Sequence, residues 1–192
     1  MQKPVESPLD LRRRFLDDPH RPVYHFLAPA NFMGDPNGAV CWNRWHHLFY
    51  QYNPLDSFND NALMHWGHAR SRDLLHWEDL PIAISPEDGK PDSLGCYSGQ
   101  IVDRDGVPTM FYYGRGGGSC IAASDDELIV WHKHANNPVM PHPPKGTAIW
   151  RPWDPCAWRQ GDTWYSLSGG HVNNRDAPFL FKSKDFVNWQ YM

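Results

Sequence analysis

Ser71-Arg72-Asp73-Leu74-Leu75-His76-Trp77 returns, imperfectly, as Ser124-Asp125-Asp126-Glu127-Leu128-Ile129-Val130-Trp131 and again as Ser183-Lys184-Asp185-Phe186-Val187-Asn188-Trp189. The closing tryptophans stand 54 and then 58 residues apart. A fixed period of this kind decides the fold expectation before any single residue is read. Ahead of each copy lies a strand-like aromatic run: His47 to Tyr52, Thr109 to Gly114 and Thr163 to Ser168. Each run is entered through a turn pair, Asn43-Arg44, Asp105-Gly106 or Gly161-Asp162, the second being a strong hairpin signal. A further short apolar run precedes each turn: Ala39 to Trp42, Gln100 to Val102 and Cys156 to Trp158. The unit is therefore strand, tight turn, aromatic strand, a third strand such as Gly67 to Ser71, and a loop ending in Trp.

A period of about 50 residues filled with short strands fits the blade of a β-propeller rather than a helical repeat. A β-sandwich with coincidental tryptophan spacing would not keep the same order three times. Sustained 3.6-residue apolar spacing is missing, and only Pro8 to Leu16 suits a short helix. Propellers close with about four to eight blades, and this chain supplies about three. The expectation is an all-β fold: a partial β-propeller over residues 24–192, preceded by a lead-in over residues 1–23. Further sequence or a second chain would supply the rest of the ring.

With 192 residues, 41% hydrophobic and 21% charged, the chain can bury a core. Aromatic residues make up 14%, including 10 Trp, and such rings suit both pleated sheets and the apolar faces of sugars. A net charge of −4, with Arg12-Arg13-Arg14 as the longest basic run, gives no footprint for nucleic acid or an anionic membrane. No stretch approaches the roughly 20 apolar residues that span a bilayer. Met1 to Glu6 holds no apolar signal segment, which favours a cytoplasmic over a secreted location. Cys41, Cys96, Cys120 and Cys156 are scattered without a C-x-x-C pair, so buried reduced thiols are expected and no disulfide is predicted. His65 and His68 fall on opposite faces of a strand by the period-2 rule, so no metal is assigned to them, and no cofactor is implied.

The innermost strand of a blade lines the central channel, so residues at its start are site candidates. Two units carry Asp-Pro there, Asp35-Pro36-Asn37-Gly38 and Asp154-Pro155, and the middle unit carries Tyr97-Ser98-Gly99. A single Asp-Pro is ordinarily a turn or cap. Repetition at the channel-facing end points instead to paired carboxylates, in which one group stays ionised to attack carbon, as glycosyl transfer requires.

Asn31-Phe32-Met33-Gly34-Asp35-Pro36-Asn37-Gly38, followed by His47-Leu48-Phe49-Tyr50-Gln51-Tyr52-Asn53-Pro54, resembles the opening signature of glycoside hydrolase family 32, the invertases, inulinases and levanases. His65 to Trp77 and Tyr97-Ser98-Gly99 continue the resemblance. It implies a five-bladed propeller and a retaining double displacement on β-fructofuranosides such as sucrose or fructans. Asp35 would be the nucleophile, and Asp154 the stabiliser of the oxocarbenium-like transition state. Asn37, Gln51, Trp66, Tyr97 and Ser98 would contact the fructosyl unit. Three positions depart from the family pattern: Phe32 replaces its Trp, Gly34 its Asn, and Trp153 the Arg of its R-D-P block. Arg151, two residues before Trp153, is the candidate to take that arginine's place.

The family's acid/base Glu belongs to an E-C-P block after the third repeat, and no Glu follows Asp154 here. A retaining mechanism needs that acid, so this chain alone is expected to be inactive. A fructosyltransferase of the same family, an arabinose-active five-bladed furanosidase and a non-catalytic sugar-binding propeller are the competing readings.

Overall fold

The computed structural model describes residues 5–57, 63–125, 127–144 and 149–192, with the side chains of 149–151 outside that description. Among these residues the fold is all-β apart from one short helix, and each sequence repeat becomes one antiparallel sheet. The first sheet runs β1 (Phe32–Trp42), β2 (Trp45–Asn53), β3 (His65–Ser71) and β4 (Trp77–Ile84). The second runs β5 (Cys96–Arg104), β6 (Val107–Gly114), β7 (Gly118–Ser124) and β8 (Trp131–Lys133), with β9 (Met140–Pro141) also on β7. The third runs β10 (Ile149–Gln160), β11 (Thr163–Val172), β12 (Arg175–Ser183) and β13 (Gln190–Tyr191).

The turn pairs act as their residue types dictate. Trp42 pairs with Trp45 across Asn43 (φ 48°) and Arg44 (φ 62°), and Arg104 with Val107 across Asp105 (φ 53°) and Gly106 (φ 88°). Two successive positive-φ residues make the hairpin turn whose twist matches the flanking strands.

The aromatic middle strands are explained by packing. In β6, Met110 and Tyr112 face the first sheet, where they meet Phe49, Trp66 and Ile84. Phe111, on the opposite face, meets the third sheet at Trp164 and Phe186. A strand buried on both faces reads as a continuous apolar run rather than an alternating one. The third sheet is covered on one face only: Trp158 and Leu167 each remain 43% exposed.

The repeat motif is a turn that the side chains build. Ser71 Oγ accepts from the N–H groups of Asp73 and Leu74, and Asp73 Oδ1 from those of Leu75 and His76. Trp77 Nε1 then donates to the Leu74 carbonyl at 3.2 Å. Ser183, Asp185 and Trp189 repeat the pattern, and Trp131 Nε1 donates to Leu128 O at 2.8 Å. Asp126 of the second copy lies outside the described residues.

Two expectations are corrected. Each unit continues into a fourth strand rather than ending at its tryptophan: Trp77 and Trp131 begin β4 and β8, and Trp189 directly precedes β13, the indole N–H closing the turn before the chain pairs along the sheet edge. The Asp-Pro blocks, expected at the start of the innermost strands, lie further inside them, Asp35 within β1 (Phe32–Trp42) and Asp154 within β10 (Ile149–Gln160). Proline cannot donate to a ladder, and the strands accommodate it with bulges. The lead-in helix α1 (Pro8–Arg14) begins at proline and is fixed to β4 by Arg12, which donates to both oxygens of Asp79 at 2.6 and 3.0 Å.

Candidate active site

The first strands of the three sheets lie side by side, with β5 between β1 and β10. Each is bulged where the sequence placed a site residue. In β1 the register slips between Met33 and Pro36, leaving Gly34 and Asp35 opposite Gln51. In β5 Ser98 is the extra residue between Tyr97 and Gly99. In β10 the slip falls between Trp153 and Cys156, around Asp154. A bulge leaves one residue unpaired and re-aims its side chain. Three bulges on adjacent strands converge three polar side chains.

Ser98 Oγ donates to Asp35 Oδ2 at 2.9 Å. Gln51 Nε2 donates to Ser98 Oγ at 2.6 Å and more weakly to Asp35 Oδ2 at 3.4 Å. One carboxylate oxygen of Asp35 is thereby fixed by two neutral donors. Asp154 holds φ at 50°, a left-handed conformation uncommon outside glycine. Its carboxyl is raised above the ordinary value, first by the protein packed around it and second by the charge of Asp35. Asp154 itself is open to solvent, with protein walls beside it. Asp154 thus senses the charge of Asp35, as a carboxylate beside another does.

The family departures are coupled in space. A Cβ at Gly34 would stand 3.1 Å from the Phe32 ring and 3.2 Å from Gln51 Cβ, so a side chain at position 34 requires Phe32 or Gln51 to give way by a few tenths of an ångström. Trp153 lies against Gly169, whose added Cβ would be 3.0 Å from the indole nitrogen, and meets His171 edge-on at 4.9 Å. A cleft of about 490 Å³ extends from Trp153 and Asp154 over Cys156, Leu167 and Ser168 along the uncovered face of the third sheet.

The sequence-selected residues divide. Asp35, Asp154, Gln51 and Ser98 come together, and Tyr97 is half-buried beside Ser98. Asn37 is buried at 3% exposure, with Nδ2 lacking a partner. Trp66 is a correction: it is wholly buried, and its indole N–H is spent on the Tyr97 carbonyl at 3.0 Å, so neither ring face nor donor reaches a ligand. The Arg151 side chain lies outside the described residues. His65 and His68 have separate partners, Ser85 Oγ and His47, each at 2.9 Å. All four glutamates sit against cations elsewhere: Glu6 on Arg14, Glu78 and Glu127 on Arg70, and Glu87 on Lys133. Of the cysteines, Cys96 and Cys120 are buried, while Cys41 and Cys156 are exposed, against the expectation for those two.

The sequence reading missed the bulges and the left-handed Asp154. The available signal was proline directly after each aspartate, which no regular inner strand tolerates.

The chain is similar to known proteins. The sucrose-6-phosphate hydrolase of Escherichia coli is 36% identical over 183 residues, covering 88% of this chain and 36% of that protein. The sucrose:sucrose 1-fructosyltransferase of Festuca arundinacea is 37% identical over 187 residues, covering 90% of this chain and 28% of that protein. Among solved structures, a variant of fructan 1-exohydrolase IIa from Cichorium intybus in complex with 1-kestose superposes with a TM-score of 0.82 at 35% identity, covering 91% of this chain and 34% of that one. The chain thus spans about a third of the length of such relatives. The family model for the N-terminal domain of glycosyl hydrolases family 32 matches residues 25–192, and to that family the chain belongs.

Proposed function

We propose that this chain is the nucleophile-bearing part of a β-fructofuranosidase that works by a retaining double displacement on sucrose or a fructan. One observation carries the reading: Asp35, with one oxygen held by Ser98 and Gln51, faces an Asp154 whose carboxyl responds to its charge. Pinning one oxygen leaves the other to attack the anomeric carbon. Asp154 gathers sugar hydroxyls and counters the positive charge that develops on the ring. Asn37 is a further substrate contact in this reading, with its buried, unpartnered Nδ2 as donor.

The acid/base glutamate comes from sequence outside these residues, in the blades that complete a five-bladed ring over the uncovered face of the third sheet. Residues 1–23 serve as the lead-in to that ring. Relatives named for sucrose-6-phosphate hydrolysis and for fructosyl transfer support a fructosyl donor and leave water and sugar as alternative acceptors. Phe32, Gly34 and Trp153 favour the second reading, a sugar-binding propeller without turnover.

The test uses a polypeptide that continues past Met192. Rapid-quench mass spectrometry during sucrose turnover should find one fructosyl residue on the peptide carrying Asp35, and Asp35→Asn should lower kcat by at least about 10³-fold. Turnover with inversion, or an adduct on another residue, overturns the mechanism, and tight fructan binding without turnover selects the second reading. For the chain of 192 residues, sucrose hydrolysis above background would overturn the missing-acid part, since acid catalysis contributes about 10² to 10⁴-fold.

A further inference from the structure

Trp66 stands on β3, opposite Gln51 of β2, and its wholly buried side chain reaches across the face of the first sheet to β1 and β5. Three contacts fix the ring. It meets Phe49 at 6.0 Å and Tyr112 edge-on at 6.3 Å, and a Cβ at Gly38 would stand 3.2 Å from it. Gly38 follows Asp35 by three residues in β1, and its added Cβ would also lie 2.8 Å from the Ile101 side chain of β5. The indole therefore sits where the first strands of two sheets approach each other, and a glycine at φ 50° is what permits the approach.

At the other edge of the ring, Nε1–H donates to Tyr97 O at 3.0 Å. That carbonyl belongs to the peptide joining Tyr97 to Ser98, the extra residue of the β5 bulge. A peptide group is a rigid plane, so orienting its carbonyl also orients the Ser98 N–H and the Ser98 Cα at its far corner. A bulge disrupts the ladder locally, so regular pairing with β6 does not settle where Ser98 points. The indole bond comes from a strand of the other sheet and supplies what the ladder lacks. Ser98 Oγ then donates to Asp35 Oδ2 at 2.9 Å.

We propose that Trp66 is a positioning residue for Asp35: its indole N–H holds the Tyr97–Ser98 peptide plane, and through it the hydroxyl that fixes one carboxylate oxygen and leaves the other to attack. A buried indole needs a partner for its N–H. Any carbonyl of the core would answer that need, and the one used is a single peptide away from the donor to Asp35. A nucleophile displaced by about 1 Å loses up to about 10²-fold in rate, which is the scale on which such a linkage acts. The inference rests on the fructosyl-transfer reading for what Asp35 does, and not for how Asp35 is held.

The test is a double-mutant cycle in a polypeptide that continues past Met192, read by sucrose turnover. Trp66→Phe keeps an aromatic ring and removes the N–H. Alone it should lower kcat about tenfold with KM within about twofold, the mark of an interaction that matters in the transition state. In a Ser98→Ala background the same change should lower kcat by less than about twofold, because the hydroxyl it acts through is already gone. Phe49→Leu, a core change beside the same ring, should lower Tm while kcat stays within about twofold, which separates positioning from packing. An equal loss from Trp66→Phe in both backgrounds overturns the proposal, and so does a kcat that Trp66→Phe leaves unchanged. The crystal structure of Trp66→Phe gives a readout independent of turnover: Ser98 Oγ should lie beyond about 3.5 Å from Asp35 Oδ2, and an intact bond overturns the proposal. A check that needs no variant is hydrogen exchange in the chain of 192 residues, where the Trp66 indole proton should exchange at least about 10²-fold more slowly than that of exposed Trp158; equal rates remove the bond on which the linkage depends. Loss of the Ser98–Asp35 bond in Trp66→Phe together with no fructosyl adduct on Asp35 in the parent would sink the fructosyl reading and leave the positioning role standing. An adduct on Asp35 with turnover indifferent to Trp66→Phe would do the reverse.

Discussion

At the scale of the residue, Asp154 concentrates what a stable protein avoids. It holds a left-handed φ of 50°, sits in a bulge, and keeps a carboxyl raised by the walls around it and by Asp35. Each feature costs folding free energy, about 1 to 3 kcal/mol for the backbone alone, and strain of this kind gathers at functional sites. Asn is the substitution that isolates the charge, since it tolerates the same backbone conformation. A carboxyl whose folded value lies above its unfolded 3.8 ionises first in the unfolded chain, so stability falls as pH rises through that interval. Asp154→Asn should therefore raise Tm at pH 7, by no more than about 3 °C because the group is solvent-screened, and leave Tm unchanged below about pH 3.5. Thermal unfolding at pH 3, 5 and 7 checks this, and a gain at pH 3 or a loss at pH 7 contradicts it. The aspartates were legible because they repeat. Their geometry was not, since a bulge depends on how two strands pair and leaves only proline as its local mark.

At the scale of the element, one turn is used three times with different burial. Leu74, Leu128 and Phe186 occupy equivalent positions at φ 66°, 57° and 66°, each offering its carbonyl to the tryptophan three residues on. Left-handed backbone costs a non-glycine residue roughly 1 to 2 kcal/mol. Leu74 is 55% exposed and recovers little of this by packing, whereas Leu128 and Phe186 are fully buried. Leu74→Gly should stabilise the protein by about 1 kcal/mol, while Phe186→Ala should cost about 3 to 5 kcal/mol through a cavity between the second and third sheets. Urea denaturation separates the two, and destabilisation by Leu74→Gly would show that this exposed leucine has a packing role. Strand order and turns were legible here because each rests on local chemistry: a Ser and an Asp that cap backbone N–H groups, or Asp-Gly at positive φ. The fourth strands were hidden because β8 and β13 are only three and two residues long and lean on their neighbours. Trp66 was misread for a similar reason: a ring suited to a sugar face is equally suited to a core, and the choice is made by a partner 31 residues away, the Tyr97 carbonyl.

At the scale of the whole molecule, the decisive asymmetry is the far face of the third sheet. The first and second sheets bury one cluster between them, around Phe49, Trp66 and Tyr112, and the second and third bury another, around Phe111, Trp164 and Phe186. Beyond the third sheet, Cys156 is exposed and Trp158 lies flat against Tyr165 with 43% of its surface open. Clustered apolar surface of this kind is what a further sheet would cover in the proposed ring. Cys156 reports on that directly, because thiol reactivity requires access and thiolate. Cys96 and Cys120 are buried with their thiols pushed up, Cys120 to about 12, and should stay unlabelled in the native state. In this chain a maleimide should modify Cys41 and Cys156 at similar rates. In a polypeptide that continues past Met192, a further sheet on this face should slow Cys156 by at least about tenfold while Cys41, the internal reference, keeps its rate. Peptide mapping after timed labelling reads both sites at once. A Cys156 that reacts equally fast in both polypeptides would mean that no further sheet covers this face, and the proposed acid partner of Asp35 would then have to arrive from another direction.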